Sequence, residues 1–287
     1  MHRMTVCPDC LRRCWLLSLL GPYIERHRGD AGLLALDDQR LVELVAPQVG
    51  SHLLARLAAQ SERSMREELA RAHCWAVCRH DEEYPLGLRD LEDAPAALVG
   101  RGDSGLLFGV KPSDMVAIVG ARRATSRGRG IAFDLAGEVA KTGTGVVSGL
   151  AFGIDYSAHR GALEVRGCTV AVLPCGPDQS YPRAHKTLWR RIGETGLVLS
   201  ELPPGAMPWR WSFIARNRIV AALTHTTVVV EANRRSGSMA TAARAARLDR
   251  RVAAVPGPAD LPVAAGPNAL IAAGADRVLS AADLQLD

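Results

Sequence analysis

The sequence predicts an α/β protein: a doubly wound, mostly parallel sheet with a small helical domain ahead of it. Three observations carry this. From Val116 onward, short β-branched apolar segments alternate with helical stretches. Each segment is apolar at consecutive positions, as strands covered by helices on both faces are. Residues 11 to 80 instead carry leucines at helical spacing, broken by Gly and Pro.

Taken in order, Leu16, Leu17, Leu19 and Leu20 open the helical region, followed by leucine groups at 33–36, 41–45 and 53–57. Gly21-Pro22, Gly29-Asp30, Pro47 and Gly50 punctuate them, so several short helices are expected. Ser61 to Ala72 reads as a charged connecting helix, which sets two domains, 1–72 and 73–287. Cys74 to Cys78 makes a short strand, and Tyr84-Pro85, Asp93 to Pro95 and Gly100 to Gly105 mark an irregular junction with little helical or strand pattern. Strands are then expected at Val116–Val119, Val146–Ser148, Thr169–Leu173, Leu197–Leu199, Thr226–Glu231 and Val252–Val255. Helices separate them at 127–141, 153–166, 183–194, 214–224 and 238–248. In such a sheet the ligand crevice lies beyond the carboxyl ends of the strands.

With 287 residues and 48% hydrophobic composition the chain is not disordered by composition. Its 35 basic against 30 acidic residues are a mild excess, so the placing of charge matters more than its sum. Arg12 and Arg13 precede an apolar stretch, but Gly21-Pro22 and charged residues follow at once, so a core helix is expected rather than a signal peptide. No apolar run approaches the roughly 18 residues of a membrane span, and a cytoplasmic protein is expected. Seven cysteines argue against a secreted disulfide framework. Cys7 and Cys10 form a CxxC, and Cys74 and Cys78, flanked by His73 and His80, are the pair that would complete a zinc site. The CxxxC spacing of the second pair favours free thiols, so neither metal nor cofactor is expected.

The chemistry collects at the strand ends. The first turn, Gly120 to Thr125, is not GxGxxG, and no acidic residue follows the second strand to hold a ribose, so a dinucleotide is weakly supported. Arg122, Arg123, Arg127 and Arg129 lie there with no acid between Asp114 and Asp134. A helix N-terminus beside such arginines suits phosphate, with Arg122 pairing in bidentate fashion. The second turn, Ser148 to Asp155, adds a hydroxyl and the glycines Gly149 and Gly153, and its Asp155 and His159 fit a capping and packing pair better than a catalytic one. Cys175 fits a small buried thiol better than a nucleophile, and Lys186 is a candidate phosphate contact. Trp209 to Arg218 interleaves aromatics with arginines, a pattern that stacks bases and holds a single-strand backbone, with Phe213 the residue most expected in the core. Ser236-Gly237-Ser238 opens a helix and gives a third amide-rich anion site.

In this order, GARRAT, SGLAFGIDYSAH, LPCGPDQSYP, SELPPG, SFIARNRIVAAL and RSGSMATAARAA resemble the DNA-processing protein A family (DprA, also called Smf) over residues 73 to 280. The resemblance implies an extended Rossmann-like domain that binds single-stranded DNA, protects incoming strands in natural transformation and loads the RecA recombinase, as a homodimer and without enzymatic activity. It implies DNA-contacting roles for Arg122, Ser148, Gly149, Lys186, Asn217, Arg218, Ser236, Gly237 and Ser238. Asn268 is a weaker carry-over, because its surroundings lack the usual Ser and Arg. The helical region fits the small domain of the SAM or helix-hairpin-helix kind that many members carry. The winged-helix domain at the C-terminus of many members is expected to be absent. The rival function is a nucleotide-processing enzyme of the phosphoribohydrolase type. It would need a PGGxGTxxE turn, and Pro256-Gly257-Pro258-Ala259-Asp260 lacks the GT and the following Glu.

Overall fold

The computed structural model describes residues 6–30, 32–107 and 111–286. Four helices come first: α1 (Pro8–Ile24), α2 (Asp38–Val45), α3 (Gly50–Ala59) and α4 (Glu62–Arg71). Then follow β1 (Trp75–Cys78), α5 (Leu86–Arg89), β2 (Ala97–Gly102), β3 (Met115–Val119), α6 (Ser126–Lys141), β4 (Gly145–Ser148), α7 (Ile154–Glu164) and β5 (Thr169–Val172). The chain continues through α8 (Lys186–Thr195), β6 (Leu197–Ser200), α9 (Arg210–Ala222), β7 (Thr226–Val229), α10 (Gly237–Arg247), β8 (Arg251–Ala254), α11 (Ala265–Ala272) and β9 (Asp276–Arg277). Among the described residues no helix is long and apolar enough to cross a membrane.

The strands form one nine-stranded sheet in the order β1-β2-β6-β5-β4-β3-β7-β8-β9. The β1–β2 and β2–β6 pairs are antiparallel and the others parallel, as expected for a doubly wound, mostly parallel fold. From β3 the chain first winds outward through β4, β5 and β6, then returns to the other side of β3 with β7. The connections leave β3 in opposite directions, which opens a crevice at the carboxyl ends of β3, β4 and β7.

Both faces of the parallel strands are covered. In β3, Met115, Ala117 and Val119 share a core with Ile219 and Val220 of α9 and Ala242 of α10. The alternate residues Val116 and Ile118 pack with Leu135 and Val139 of α6 and Ala158 and Ala162 of α7. Each such side chain contributes roughly 1.5–3 kcal/mol on burial, which fixes both the face and the register of the strand.

The irregular junction expected between Tyr84 and Gly105 is corrected: it contains β2, paired through Val99 with Ser200 of β6 and through Leu98 with Val77 of β1. Two glycines, Gly100 and Gly102, leave only three apolar side chains in the strand, which is why its sequence pattern is faint. Helix α9 also begins four residues earlier than the expected 214, at Arg210, so the aromatic and arginine residues of that segment are sorted onto different helix faces.

The N-terminal helices share a core with the sheet edge. Leu11, Leu16, Leu17 and Leu20 of α1 cluster with Leu41, Leu53, Leu57 and Met65, and also with Ala76, Cys78, Ala97 and Val99 of β1 and β2. Trp211 and Ala215 of α9 belong to the same cluster. Trp211 Nε1 donates to the Gly21 carbonyl at 3.0 Å, and the Trp211 amide donates to Glu25 Oε2 at 3.0 Å. Replacing the fully buried Leu16 by Ala is expected to cost about 2–5 kcal/mol. Because strand residues share its core, helical circular dichroism and Trp189 fluorescence should melt together in one transition; two separated transitions would contradict the shared core.

Candidate nucleic-acid interface

A cleft of about 430 Å³ opens at the carboxyl ends of the central strands. Its walls come from the loop after β3 (Gly120 to Arg123), the loop after β4 (Ala151, Asp155), one face of α9 and the start of α10.

The first loop is held by the end of β7. The Ala121 amide donates to the Glu231 carbonyl at 2.5 Å. The Thr125 amide and hydroxyl donate to the two carboxylate oxygens of Glu231 at 2.8 and 2.6 Å. Thr125 in turn caps α6, accepting from the Gly128 amide at 2.9 Å. With its backbone fixed, the loop presents Arg122 and Arg123 outward, and the Arg122 guanidinium lies 5.0 Å above the Phe213 ring centroid. Tyr181 meets the same ring edge-on at 5.4 Å. The expectation that Phe213 is core is therefore corrected: it is half-buried and lines the cleft, whereas Trp211 is buried and Trp209 packs against the helical core.

The second loop wraps a buried carboxylate and a buried imidazole. Asp155 Oδ2 accepts from the amides of Gly149 and Ala151 at 3.2 and 3.3 Å. Burial raises the Asp155 pKa, while the nearby Arg216 and the two amides pull against that rise. His159 Nε2 accepts from the Leu150 amide at 3.3 Å, and its Nδ1 lies 2.7 Å from Thr169 Oγ1. Since that hydroxyl already donates to the Val146 carbonyl, Nδ1 must carry the proton and the ring is held neutral. Burial, together with Arg216 and His185, lowers its pKa to about 3. Asp155 and His159 thus brace the loop rather than form an acid–base pair. Gly153 has φ 77°, and a Cβ there would lie 2.2 Å from the Ala121 carbonyl oxygen, so the two loops meet backbone to backbone only through glycine.

The floor of the cleft is Arg216, which the motif reading left unassigned. Its side chain is buried, its Nε has no hydrogen-bond partner among the described residues, and it lies so close to Gly149 that a Cβ there would fall 1.2 Å from Nη1. Burial lowers the Arg216 pKa; Asp155 opposes that shift and Arg122 adds to it. A buried guanidinium with an unmet donor is costly unless an anion completes it. Helical period would have found this residue: Phe213, Arg216, Asn217 and Val220 fall on one face of α9 and all line the cleft.

Arg218 falls on the opposite face. Only 1% exposed, it pairs with Asp93 Oδ2 at 3.2 Å and Glu201 Oε1 at 2.7 Å, and these two carboxylates outweigh burial and raise its pKa. Ser148 is likewise buried, its hydroxyl donating to the Ile118 carbonyl at 2.7 Å. Lys186 is exposed at the start of α8, beside His185, whose Nδ1 is 2.9 Å from the Leu150 carbonyl; it sits beyond the second loop and does not line the cleft. Cys175 is buried, and burial pushes its thiol up to about 12, so it stays protonated. Asn268 exchanges two hydrogen bonds with the Gly257 backbone, at 3.1 and 2.9 Å, and braces that turn.

The third turn closes the far wall. Ser236 caps α10, accepting from the Met239 amide at 3.4 Å, and Ser238 Oγ donates to the Gly120 carbonyl at 2.8 Å, locking the third turn to the first. Asn217 Nδ2 donates to the Gly237 carbonyl at 3.3 Å and ties α9 to the same turn. Gly237 and Ser238, at the positive end of α10, line the cleft together with Arg216.

The profile of the family described as DNA recombination-mediator protein A matches residues 75–286 of the chain. The chain belongs to that family. A relative from Mycobacterium tuberculosis, carrying the family designation DprA, is 41% identical over 286 residues, which span 96% of this chain and 71% of the relative. The X-ray structure of DprA from Streptococcus pneumoniae superposes with a TM-score of 0.77 at 30% identity, covering 98% of each chain. DNA processing protein A from Helicobacter pylori, whose structure describes a single-stranded DNA binding mode, superposes with a TM-score of 0.65 at 31% identity over 74% of this chain and 95% of that one.

Two outcomes follow from these side chains. Arg218→Ala leaves Glu201 buried without its cation and Asp93 with only Arg244, 3.6 Å away, and should lower the unfolding free energy by roughly 3–5 kcal/mol, whereas the exposed Arg122→Ala should change it by no more than about 0.5 kcal/mol; denaturant titration separates the two. His159 contributes a pH dependence. Below the usual histidine pKa near 6.5 the unfolded chain takes up a proton that the native ring refuses until about 3, so stability falls as pH drops through that window. In His159→Gln this part of the slope should vanish from urea midpoints measured across the same range.

Proposed function

We propose that the cleft holds the backbone of single-stranded DNA, and that the chain, as a homodimer in the cytoplasm, protects incoming strands and loads a RecA recombinase onto them in natural transformation and recombination. The observation that carries strand binding is Arg216, a buried guanidinium that lines the cleft under two glycine-containing loops and a helix start. A phosphate placed above it would also meet the first amides of α10 and the Arg122 side chain. The aromatic shelf beside Arg122, formed by Phe213 and Tyr181, offers faces on which bases stack without sequence readout. The strand-binding mode named for the Helicobacter pylori relative supports the same ligand class.

In this reading Arg122, Asn217, Ser236, Gly237 and Ser238 act at the surface of the cleft. Gly149 lets Arg216 reach the floor, while Ser148 and Arg218 hold the frame from beneath. Lys186 extends the basic track along the rim. The two carboxylates nearest the cleft, Asp155 and Glu231, are occupied by loop amides and by Thr125. That favours a binding site over the phosphoribohydrolase reading, which requires a carboxylate free to act on a glycosidic bond.

Loss of one charged contact of about 1.5–3 kcal/mol should weaken single-strand affinity at least roughly tenfold in Arg122→Ala. Phe213→Ala should lose about 1–3 kcal/mol of stacking. Fluorescence anisotropy with an oligonucleotide at two salt concentrations checks both: wild-type affinity should fall steeply with salt, and less steeply for Arg122→Ala. An Arg122→Ala protein that bound as tightly, with the same salt slope, would remove the cleft from the DNA-binding surface.

A further inference from the structure

The sequence reading keeps the cysteines as free thiols, yet folding brings together two pairs of donors that lie far apart in the chain. The side-chain donor atoms of Cys7, Cys10, Cys78 and His80 all lie within 4.8 Å of one another. Cys7 and Cys10 belong to the start of α1; Cys78 ends β1 and His80 lies in the turn after it. His80 Nδ1 is 3.4 Å from Cys7 Sγ and 3.5 Å from Cys10 Sγ. With Zn–S bonds of about 2.3 Å and Zn–N bonds of about 2.0–2.1 Å, neighbouring sulfur and nitrogen ligands of a tetrahedral zinc stand roughly 3.6 Å apart.

We propose that Cys7, Cys10, Cys78 and His80 form a zinc site that clamps the N-terminal helix to the edge strand of the sheet. Three thiolates and one imidazole match zinc, and all four positions are filled by protein, which makes the site structural and leaves none open for a reacting ligand. The backbone is arranged for it. Cys7 is the N-cap of the 17-residue α1 and Cys10 lies in its first turn, so both sulfurs start from the same helix end. The Cys7 amide points at Cys78 Sγ, 3.4 Å away, as amides that orient metal-bound sulfur do. The Asp81 amide donates to the Cys78 carbonyl at 2.9 Å, which folds His80 back over the strand end. Cys74, the partner that spacing suggested, lies outside the cluster, its Sγ directed at the Ala72 carbonyl.

The test is the metal content of the full chain, expressed with zinc available, purified without chelator and dialysed before elemental analysis. About one zinc per chain is expected, and cobalt substituted for it should give the intense visible bands of a tetrahedral thiolate site. His80→Ala, at an exposed position, should still fold and lose zinc affinity by roughly tenfold or more, measured by competition with a chromophoric chelator. His80→Cys should keep the metal, and so should Cys74→Ser. Chelation should lower the melting temperature of the wild type and leave Cys10→Ser unchanged. Wild-type protein without stoichiometric zinc, or His80→Ala that retains it as tightly, overturns the proposal.

Discussion

The cleft depends on one buried guanidinium. Arg216 reaches the sheet ends only because position 149 has no side chain, and the loop that carries Gly149 keeps its shape only because Asp155 gathers its amides. Glycine, arginine and aspartate form one unit: the carboxylate tempers the buried positive charge, yet an Nε remains without an acceptor among the described residues. The charge of Arg216 is met in part by Asp155, and its side chain lines the cleft.

Helix α9 sets the division between what binds and what supports. Two arginines two residues apart on it have opposite fates, because a step of two residues turns the helix by about 200°. Arg216 faces the crevice, while Arg218 faces Asp93 and Glu201 and fastens α9 to the segment ahead of β2 and the end of β6. The same residue type thus lines the cleft on one side and joins a buried ion-pair frame on the other. Only the helix phase distinguishes them.

Much of this was legible in the sequence, and the failures are instructive. The apolar, β-branched runs at β3, β4 and β7 announced a buried parallel sheet, and the turns after them announced where a ligand would sit. Strand β2 was hidden because two of its six residues are glycines and its partners lie on the distant β6 and on β1. Arg216 lies within the expected helix, but the motif reading does not sort its residues by helix face; Phe213 lies just ahead of the expected start at 214, which leaves it off the face it shares with Arg216. The zinc candidate was legible as Cys7 and Cys10 with Cys74, Cys78 and the flanking histidines, but the CxxxC spacing of the second pair argued against it; the fold takes Cys78 and His80 from that stretch and leaves Cys74 out.

Trp211 gives the N-terminal helices a meaning beyond their own packing. Its indole and its amide are both tied to α1 and to Glu25 just after it, and it stands one turn before Arg216 on the same helix. The wall of the crevice is therefore suspended from the helical region like a beam from a bracket. Shortening the protein to its sheet would remove the fixed end of that beam, and the crevice would lose its alignment although every residue lining it remained in the chain.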